Sequence, residues 1–561
     1  MTLSPAHKSM SDKHVLVYGL GRSGRAVCKL LEVQSYAMTV IDARVATQQD
    51  ASGEDQVLVR ELGIEVYESL EMLEQFQPQL IQHIQTCIAA PGVPWQHADL
   101  TRLREHGVDT IGEVEWVYKT VIEPANTLST NTSSKGTQQL KTIGITGTAG
   151  KTSTTQWVSS LLTQAGQCAP AGGNIGRALA EVVLDDAVQA EAEVTFVTEM
   201  SSFQLERCPT FRPHIAVILN LGVDHIDRHG SVEAYHAAKK NLLANLTAQD
   251  TFVYNLDDAT LTCWASETSA KTLRFSTQND RADAYYAGDT LMLAGEPLLT
   301  TDDLNVYGQH QHNNALAVAL VGLASGLSRA EIKARLTSFT GVAGRYSQVA
   351  TMNGVQFVED SIATRTLAVQ AALAATPAPI AWLAGGQDKG ADLVPLRDLV
   401  RDKVSLLVAI GEAGPKFADA FRDITDVCVV DDADGVAALA RACATGYDHL
   451  TTQSKTLQSE QASGTVLLAP LAASFDQFPD YQARAKAFRQ VVTALVAKYD
   501  ATVNASAITS TAESLASETV SLSTASNEVE SNVTAELTSV HTEDASTTPS
   551  HNIEEPAWTV S

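Results

Sequence analysis

No Cys-x-x-Cys pair occurs in this chain, and its seven cysteines (Cys28, Cys87, Cys168, Cys208, Cys263, Cys428 and Cys443) are scattered and odd in number. That excludes a disulfide framework and a cysteine-held zinc site, and it points to reduced thiols in a cytosol. No apolar run approaches the ~18–20 residues that a membrane span requires, so no membrane insertion is expected. Met1 to His14 is polar and lacks the apolar stretch of a secretory signal, which makes a cytoplasmic location the expectation. Positive charge is scarce. Lys and Arg total 39 against 65 Asp and Glu, a formal net charge of −26, which excludes a nucleic-acid backbone as partner. Part of the deficit is local, because residues 501–561 hold 9 acidic side chains and no Lys or Arg.

What the chain does have is length and alternation. Its 561 residues exceed what one hydrophobic core serves, and three or four domains are expected. Short apolar strands alternate with helical stretches from residue 13 to about 499: Lys13–Tyr18, Ala37–Ile41, Lys141–Ile145, Val194–Glu199, Ile215–Leu219 and Thr251–Tyr254, then Gln356–Glu359, Ile380–Ala384, Ser405–Ile410, Val427–Val430 and Thr465–Leu468. That order predicts an α/β protein with mostly parallel sheets covered by helices. Glu123 to Gln139 is rich in Ser, Thr, Asn and Gly and reads as a flexible linker. Thr451 to Ser463 reads as a polar surface loop, and the Ser/Thr/Ala/Glu-rich stretch after Asp500 as a disordered tail.

Chemistry concentrates first at Gly144-Ile-Thr-Gly-Thr-Ala-Gly-Lys-Thr-Ser-Thr154, a strand, a glycine turn and a helix opening at Thr152. Gly147 and Gly150 let backbone N–H groups converge on an anion, because no Cβ blocks the approach. Lys151 adds a point charge for phosphate, Thr152 a hydroxyl for Mg²⁺, and the helix N-terminus a partial positive charge. An ATP phosphate site is the reading. Further on, Phe196-Val-Thr-Glu199 delivers a carboxylate at a strand end, where a Mg²⁺-binding acid belongs beside a phosphate turn.

Other stretches are less specific. Gly19-Leu-Gly21-Arg-Ser-Gly24 follows a strand, and a second strand ends in Asp42-Ala-Arg44. A dinucleotide site, a UDP-sugar or mononucleotide site and a plain tight turn all fit that pattern. In Asp224-His225-Ile-Asp227-Arg228, His225 fits a metal ligand, a general base or a satisfied loop residue. Lys239 and Lys240 lie on a helix, where lysines usually face solvent. Gly308 to Asn314 precedes an apolar helix over 315–323 and reads as a cap or as a purine contact through Asn314. Glu359–Arg365 and Leu383–Asp392 are strand-end loops of the kind that bind small anions.

Taken together these stretches resemble the Mur ligases, ATP-dependent amide-forming enzymes of peptidoglycan precursor synthesis and cell-wall biogenesis. The likeness is strongest to the branch that adds glutamate to UDP-N-acetylmuramoyl-L-alanine. It rests on GITGTAGKTST, EMSSFQLE, LNLGVDHIDRHG, YHAAK, GQHQHNN, GVAGRY, EDSIAT, GGQDKGADL and LAPLAASFDQF, in that order over nearly all of residues 13–490. The resemblance implies a Rossmann-like UDP-binding domain at 1–122, the linker at 123–139 and a P-loop ATPase domain at 140–343. A dinucleotide-fold domain bringing glutamate would follow at 344–500, then the tail at 501–561.

By the same resemblance Gly147, Thr148, Ala149, Gly150, Lys151, Thr152 and Ser153 hold the ATP phosphates, and Asn314, Arg345 and Asp360 bracket the nucleotide. Thr152, Glu199 and His225 serve two Mg²⁺ sites, and Lys239, carbamylated by CO₂, joins them. Lys151, Glu199, His225 and Lys239 form the catalytic set. Gly19, Gly21, Arg22, Ser23, Asp42, Arg44, Asn174 and His225 would contact the UDP-muramoyl substrate. Thr364, Lys389, Ser474, Phe475 and Tyr481 would contact glutamate. A monomer is expected. The implied reaction activates the substrate's carboxylate as an acyl phosphate, which the glutamate amine then attacks.

This chain departs from the family pattern at Ala149, where Asn is usual, at Gln311, and at Ile362, which replaces a lysine expected near the glutamate side chain. Arg365 is a candidate replacement cation, bulkier and differently placed. D-glutamate is therefore the expected substrate and L-glutamate the alternative. A folylpolyglutamate-synthase-like ligase and a nucleotide-binding regulator without turnover are the other readings.

Overall fold

The computed structural model describes residues 14–47, 53–131, 138–306, 308–456 and 463–501. The chain divides into two units between Leu495 and Val496. All three sheets lie in the first; the described residues of the second, 496–501, are helical.

The first sheet holds β1 (His14–Tyr18), β2 (Ala37–Ile41), β3 (Glu65–Tyr67), β4 (Thr86–Ala89) and β5 (Asp109–Ile111), ordered β3-β2-β1-β4-β5 and parallel throughout. β1 is a continuous apolar run because helices cover both faces of a parallel sheet. The order reverses at β1/β4, and a ligand crevice belongs at the strand ends there.

The second sheet has nine strands: β6 (Gln139–Thr146), β7 (Ala171–Gly173), β8 (Glu193–Glu199), β9 (Ile215–Ile218), β10 (Thr251–Asn255), β11 (Lys271–Ser276), β12 (Ala284–Ala287), β13 (Thr290–Leu293) and β14 (Glu296–Thr300). Their order is β14-β13-β12-β11-β10-β9-β6-β8-β7. From β7 to β12 the pairing is parallel, and β12, β13 and β14 add an antiparallel edge that the alternation did not predict. The β13–β14 turn has Ala294 and Gly295 both at positive φ (51° and 81°), the twist that tight hairpins favour.

The third sheet comprises β15 (Ser347–Met352), β16 (Val355–Glu359), β17 (Ile380–Gly385), β18 (Val404–Ile410), β19 (Asp426–Val430) and β20 (Gly464–Leu468), ordered β15-β16-β20-β17-β18-β19. Only β15 pairs antiparallel among these described strands. The chain enters this sheet through a tight passage with Gly341, Gly344 and Tyr346 at φ 86°, 85° and 43°. Glu359 and Asp360 grip it: Gly344 N donates to Glu359 Oε2 (2.6 Å) and Tyr346 N to Asp360 Oδ1 (3.2 Å).

Three expectations need correction. Glu123–Asn131, read as linker, is helical. Its polar composition hides an anchor, since Asn126 exchanges two hydrogen bonds with the backbone of Leu140 (2.7 and 3.1 Å). Residues 132–137 of that linker lie outside the described residues. The loop expected from Thr451 begins instead as the last turn of the helix Gly435–Thr456, and the helix placed at 315–323 starts earlier, at Gln309. The tail beyond Ala501 lies outside the described residues.

One apolar interior serves one face of the first sheet and one face of the second, running from Val17, Leu31 and Ile88 through Trp116 and Ile122 to Leu140, Phe196 and Phe211, while the first sheet's other face packs around Leu16, Ile41 and Leu103. The opposite face of the second sheet and the third sheet have separate clusters. At the shared interior Glu113 is buried; Oε1 accepts Ala180 N at 2.6 Å and Oε2 has no protein partner. Burial pushes its carboxyl up to about 7, against the opposing pull of Ala180 N–H and Arg22. A raised carboxyl pKa means that stability falls as pH rises from the unfolded value near 4.5 to the folded value near 7. Glu113→Gln is therefore expected to raise the melting temperature by several degrees at pH 8 and to change it little at pH 4, which thermal unfolding at the two pH values checks.

Candidate active site

β6 ends in the glycine turn, and the helix Lys151–Gln164 begins one residue earlier than expected. Gly150 adopts the left-handed conformation (φ 81°), and a Cβ there would stand 2.6 Å from Asn314 Oδ1. The loop's donors converge. Thr148 N and Ala149 N both point at Asn220 Oδ1 (3.0 and 2.9 Å), so a single oxygen collects two adjacent N–H groups, the arrangement that also suits a phosphate oxygen. Asn220 carried no signal of its own in the sequence beyond following an apolar strand.

Glu199, at the end of β8, is buried beneath this loop. Its Oε2 accepts the Thr152 hydroxyl (2.7 Å) and its Oε1 the Asn174 amide (2.7 Å). β6 and β8 are paired neighbours, which brings residues 47 positions apart into contact. Lys151 Nζ folds back onto Gly147 O and Thr148 O (2.9 Å each). Burial lowers its pKa, with Arg345 adding to the effect and Glu199 opposing it.

Lys239 overturns the default reading of a helix lysine. On the helix Val232–Lys240 it is 1% exposed, and its Nζ donates to the same Gly147 O at 2.8 Å. Burial, then the charge of Lys151, brings its ammonium down to about 7. Beneath it lies Tyr235, a residue the sequence did not mark: Nζ is 4.6 Å from the ring centre, and the Tyr235 hydroxyl donates to Thr148 Oγ1 (3.2 Å). His225 lies across the same ring at 6.3 Å, tilted against Phe203 (4.8 Å between ring centres) and beside Asp224 (3.4 Å). Thus Lys151, Thr152, Glu199 and Lys239 meet around one loop, with His225 one aromatic ring away.

Among the described residues no cluster of three or more His, Cys, Asp or Glu forms a metal cage. The donors at hand are a hydroxyl and a carboxylate at hydrogen-bond distance. That set suits Mg²⁺, which keeps most of its waters and takes few protein ligands alongside phosphate oxygens.

A cavity of about 520 Å³ opens beside the loop, lined by Gly150, Asn220, His310 and Asn314 on one side and by Tyr346, Asp360 and the alanine face of the helix Thr366–Ala375 on the other. Asn314 donates to Gln311 Oε1 (3.2 Å), and Gln311 donates to Ser153 Oγ (3.3 Å), so the unusual Gln311 ties this wall to the phosphate helix. Asp360 is buried there; burial and Glu359 raise its carboxyl to about 7, with Tyr346 N–H and Arg345 opposing. A slightly larger cavity, about 580 Å³, lies at the opposite ends of the strands around Cys168 and His214, with none of the phosphate-loop residues in its walls.

At the first sheet the glycines separate by role. A Cβ on Gly24 would stand 2.1 Å from Gly19 O, so helix packing demands that glycine. Around Gly21 nothing stands within 4 Å, which leaves its backbone open to a ligand. Asp42 is buried and spends its carboxylate locally, accepting Leu20 N (2.8 Å), Arg44 N (3.0 Å) and Arg44 Nη2 (2.9 Å). Its geometry is that of a clamp on the glycine turn, with Arg44 the outward-facing member. Arg22 bridges to the second sheet's loop through Gly176 O (2.8 Å) and Asn174 O (3.1 Å), and Ser23 follows it on the first helix.

In the third sheet Lys389 Nζ lies 5.4 Å over the Phe475 ring, which is exposed, while Ser474 beside it is buried. Thr366 Oγ1 donates to Asp392 O (2.8 Å), drawing the Thr364–Arg365 corner against the Lys389 loop. Tyr481 sits apart from these, its ring near Gly344. Arg365 reaches across to Asp224 (3.8 Å) in the loop of His225.

Family models match two stretches: Mur ligase MurD-like, N-terminal domain, over residues 13–112, and Mur ligase middle domain over 145–322. UDP-N-acetylmuramoylalanine–D-glutamate ligase of Thermus thermophilus is 41% identical over 482 residues, 86% of this chain and 97% of the relative. The ligase of the same name from Deinococcus radiodurans is 39% identical over 488 residues, 86% of this chain and 92% of the relative. Identity at that level along nearly the whole of both relatives reflects common descent, and the chain belongs to the Mur ligase family.

Proposed function

We propose that the chain is an ADP-forming acid–amino-acid ligase that adds D-glutamate to UDP-N-acetylmuramoyl-L-alanine in the building of peptidoglycan precursors. The observation that carries this reading is the hydrogen-bonded Thr152–Glu199–Asn174 chain, with Thr152 and Glu199 buried, under a phosphate loop whose Gly147 carbonyl is shared by Lys151 and Lys239. Phosphate groups, a metal-holding carboxylate and a near-neutral lysine are what activation of a carboxylate by ATP requires.

In this reading residues 1–122 hold the UDP-muramoyl group through the Gly19–Gly24 turn and Arg44, 140–343 hold ATP, and 344–500 bring glutamate to Thr364, Lys389, Ser474 and Phe475. The substrate carboxylate attacks the γ-phosphorus, ADP leaves, and the acyl phosphate stays on the substrate. The glutamate amine then attacks the acyl carbon, loses a proton, and inorganic phosphate departs. Lys151 and the Thr148 and Ala149 N–H groups neutralise phosphoryl oxygens as charge shifts. Thr152, Glu199, His225 and a carbamylated Lys239 are the residues that would hold two Mg²⁺, which supply Lewis-acid charge neutralisation. A helix long and apolar enough to cross a membrane is absent from the described residues, and the ATP and UDP-sugar substrates of this reading fit work in the cytoplasm.

The test is phosphate release with UDP-N-acetylmuramoyl-L-alanine, ATP and each glutamate enantiomer. Turnover with D-glutamate is expected. Turnover only with L-glutamate would reassign the amino acid, and silence with both would remove the ligase reading.

A further inference from the structure

At the end of β4 the chain runs Ala89-Ala90-Pro91-Gly92-Val93, and two arginines from segments that connect strands of the second sheet take the carbonyls of all five residues. Arg207 donates to Ala89 O (3.1 Å), Ala90 O (2.7 Å) and Val93 O. Arg228 donates to Pro91 O (3.1 Å), Gly92 O (3.2 Å) and Val93 O (2.9 Å). Arg207 is 1% exposed, and the Arg228 guanidinium lies 4.4 Å over the Phe203 ring. Behind them Glu206 Oε1 meets His229 Nδ1 at 3.1 Å. Burial raises the Glu206 carboxyl and lowers the His229 imidazole, each disfavouring its charged form. Glu206 and His229 thereby join the two segments that carry the arginines, and both arginines hold one loop.

The loop touches both ends of the reaction. A Cβ on Gly19 would stand 3.0 Å from Ala90 Cβ, so the loop packs on the glycine turn read as the UDP-muramoyl pocket. Arg228 lies three residues past His225, on the single helical turn Ile226–His229. A guanidinium spans several carbonyls at fixed angles and keeps its charge, which makes it a rigid connector where an ammonium would be a pivot.

We propose that Arg207 and Arg228 are positioning residues that couple occupation of the UDP-muramoyl pocket to the nucleotide site. This rests on the functional reading above. In the intact enzyme, UDP-N-acetylmuramoyl-L-alanine should tighten the binding of a non-hydrolysable ATP analogue, and the reverse by the same factor. Arg228→Ala should raise KM for the UDP substrate about tenfold to a hundredfold, leave analogue affinity measured alone within about twofold, and bring the coupling factor to about one. Arg228→Lys should retain part of the coupling. Arg207 is too buried for its loss to be read cleanly, so Arg228 carries the test, with a melting curve to verify folding. An Arg228→Ala enzyme that folds and keeps both the UDP-substrate KM and the coupling factor of the wild type would overturn the joint. Absence of turnover in the wild type would overturn the functional reading instead.

Discussion

Alanine at position 239 is expected to lower turnover by about 10³-fold or more, and added short carboxylates to restore part of it. The reason is electrostatic. Lys239 is buried beside Lys151, and burial with that neighbouring charge brings its ammonium down to about 7, which favours the free amine far more than in an exposed lysine. Free amine is the form that adds CO₂. The carbamate so formed is an anion, and the Lys151 charge that disfavours the ammonium favours it. The linkage has a definite sign. A lysine whose pKa drops from 10.5 to about 7 on folding costs stability in full below 7, and the cost fades as pH rises to 10.5. Lys239→Ala should therefore not melt lower at pH 7 through loss of charge, which separates catalytic loss from unfolding. Initial rates with and without acetate, rates after CO₂ depletion, and a carbamate resonance from ¹³CO₂ are the measurements. Unchanged turnover would remove the assignment.

Glu199→Gln carries the second large effect. Glu199 accepts from Thr152 and Asn174, both at 2.7 Å, and the carboxamide keeps its shape but loses the charge and turns an NH₂ toward one of those donors. A fall of about 10²–10³-fold in kcat is expected, with a rise in the Mg²⁺ concentration needed for half-maximal rate. Binding of the nucleotide without metal should change far less. A Mg²⁺ titration of initial rates, beside calorimetry of the nucleotide alone, checks both. Equal Mg²⁺ dependence in variant and wild type would take Glu199 out of the metal site.

The sequence reveals those features whose cause is local. β6, the glycine turn and the helix after it could be read because an apolar run, two glycines and a lysine sit within fourteen positions. Glu199 could be read because strand ends in such sheets face the ligand. Lys239 could not be placed by its surroundings in the chain: a polar helix gives no sign that this one lysine turns inward, and only the resemblance named it. Asn220 and Tyr235 were missed for the same reason, since their roles come from which loop lies opposite. The Arg207 and Arg228 contacts join segments more than a hundred residues apart, a relation no local pattern encodes. The helix Glu123–Asn131 was mistaken for linker because composition outweighed the single Asn126 anchor. Asp42 was assigned to a ligand from motif shape, and that shape gave no sign that its oxygens also accept from Leu20 N, Arg44 N and the Arg44 guanidinium.

The apolar interior held in common by the first two sheets bears on how such a chain can be recombined. Cutting it ahead of Leu140 would strip cover from Phe196 and Phe211, so neither part would be a fit lodger on its own. The third sheet packs around a cluster of its own. Replacing residues on the third sheet's cluster would therefore leave the interior shared by the first two sheets untouched.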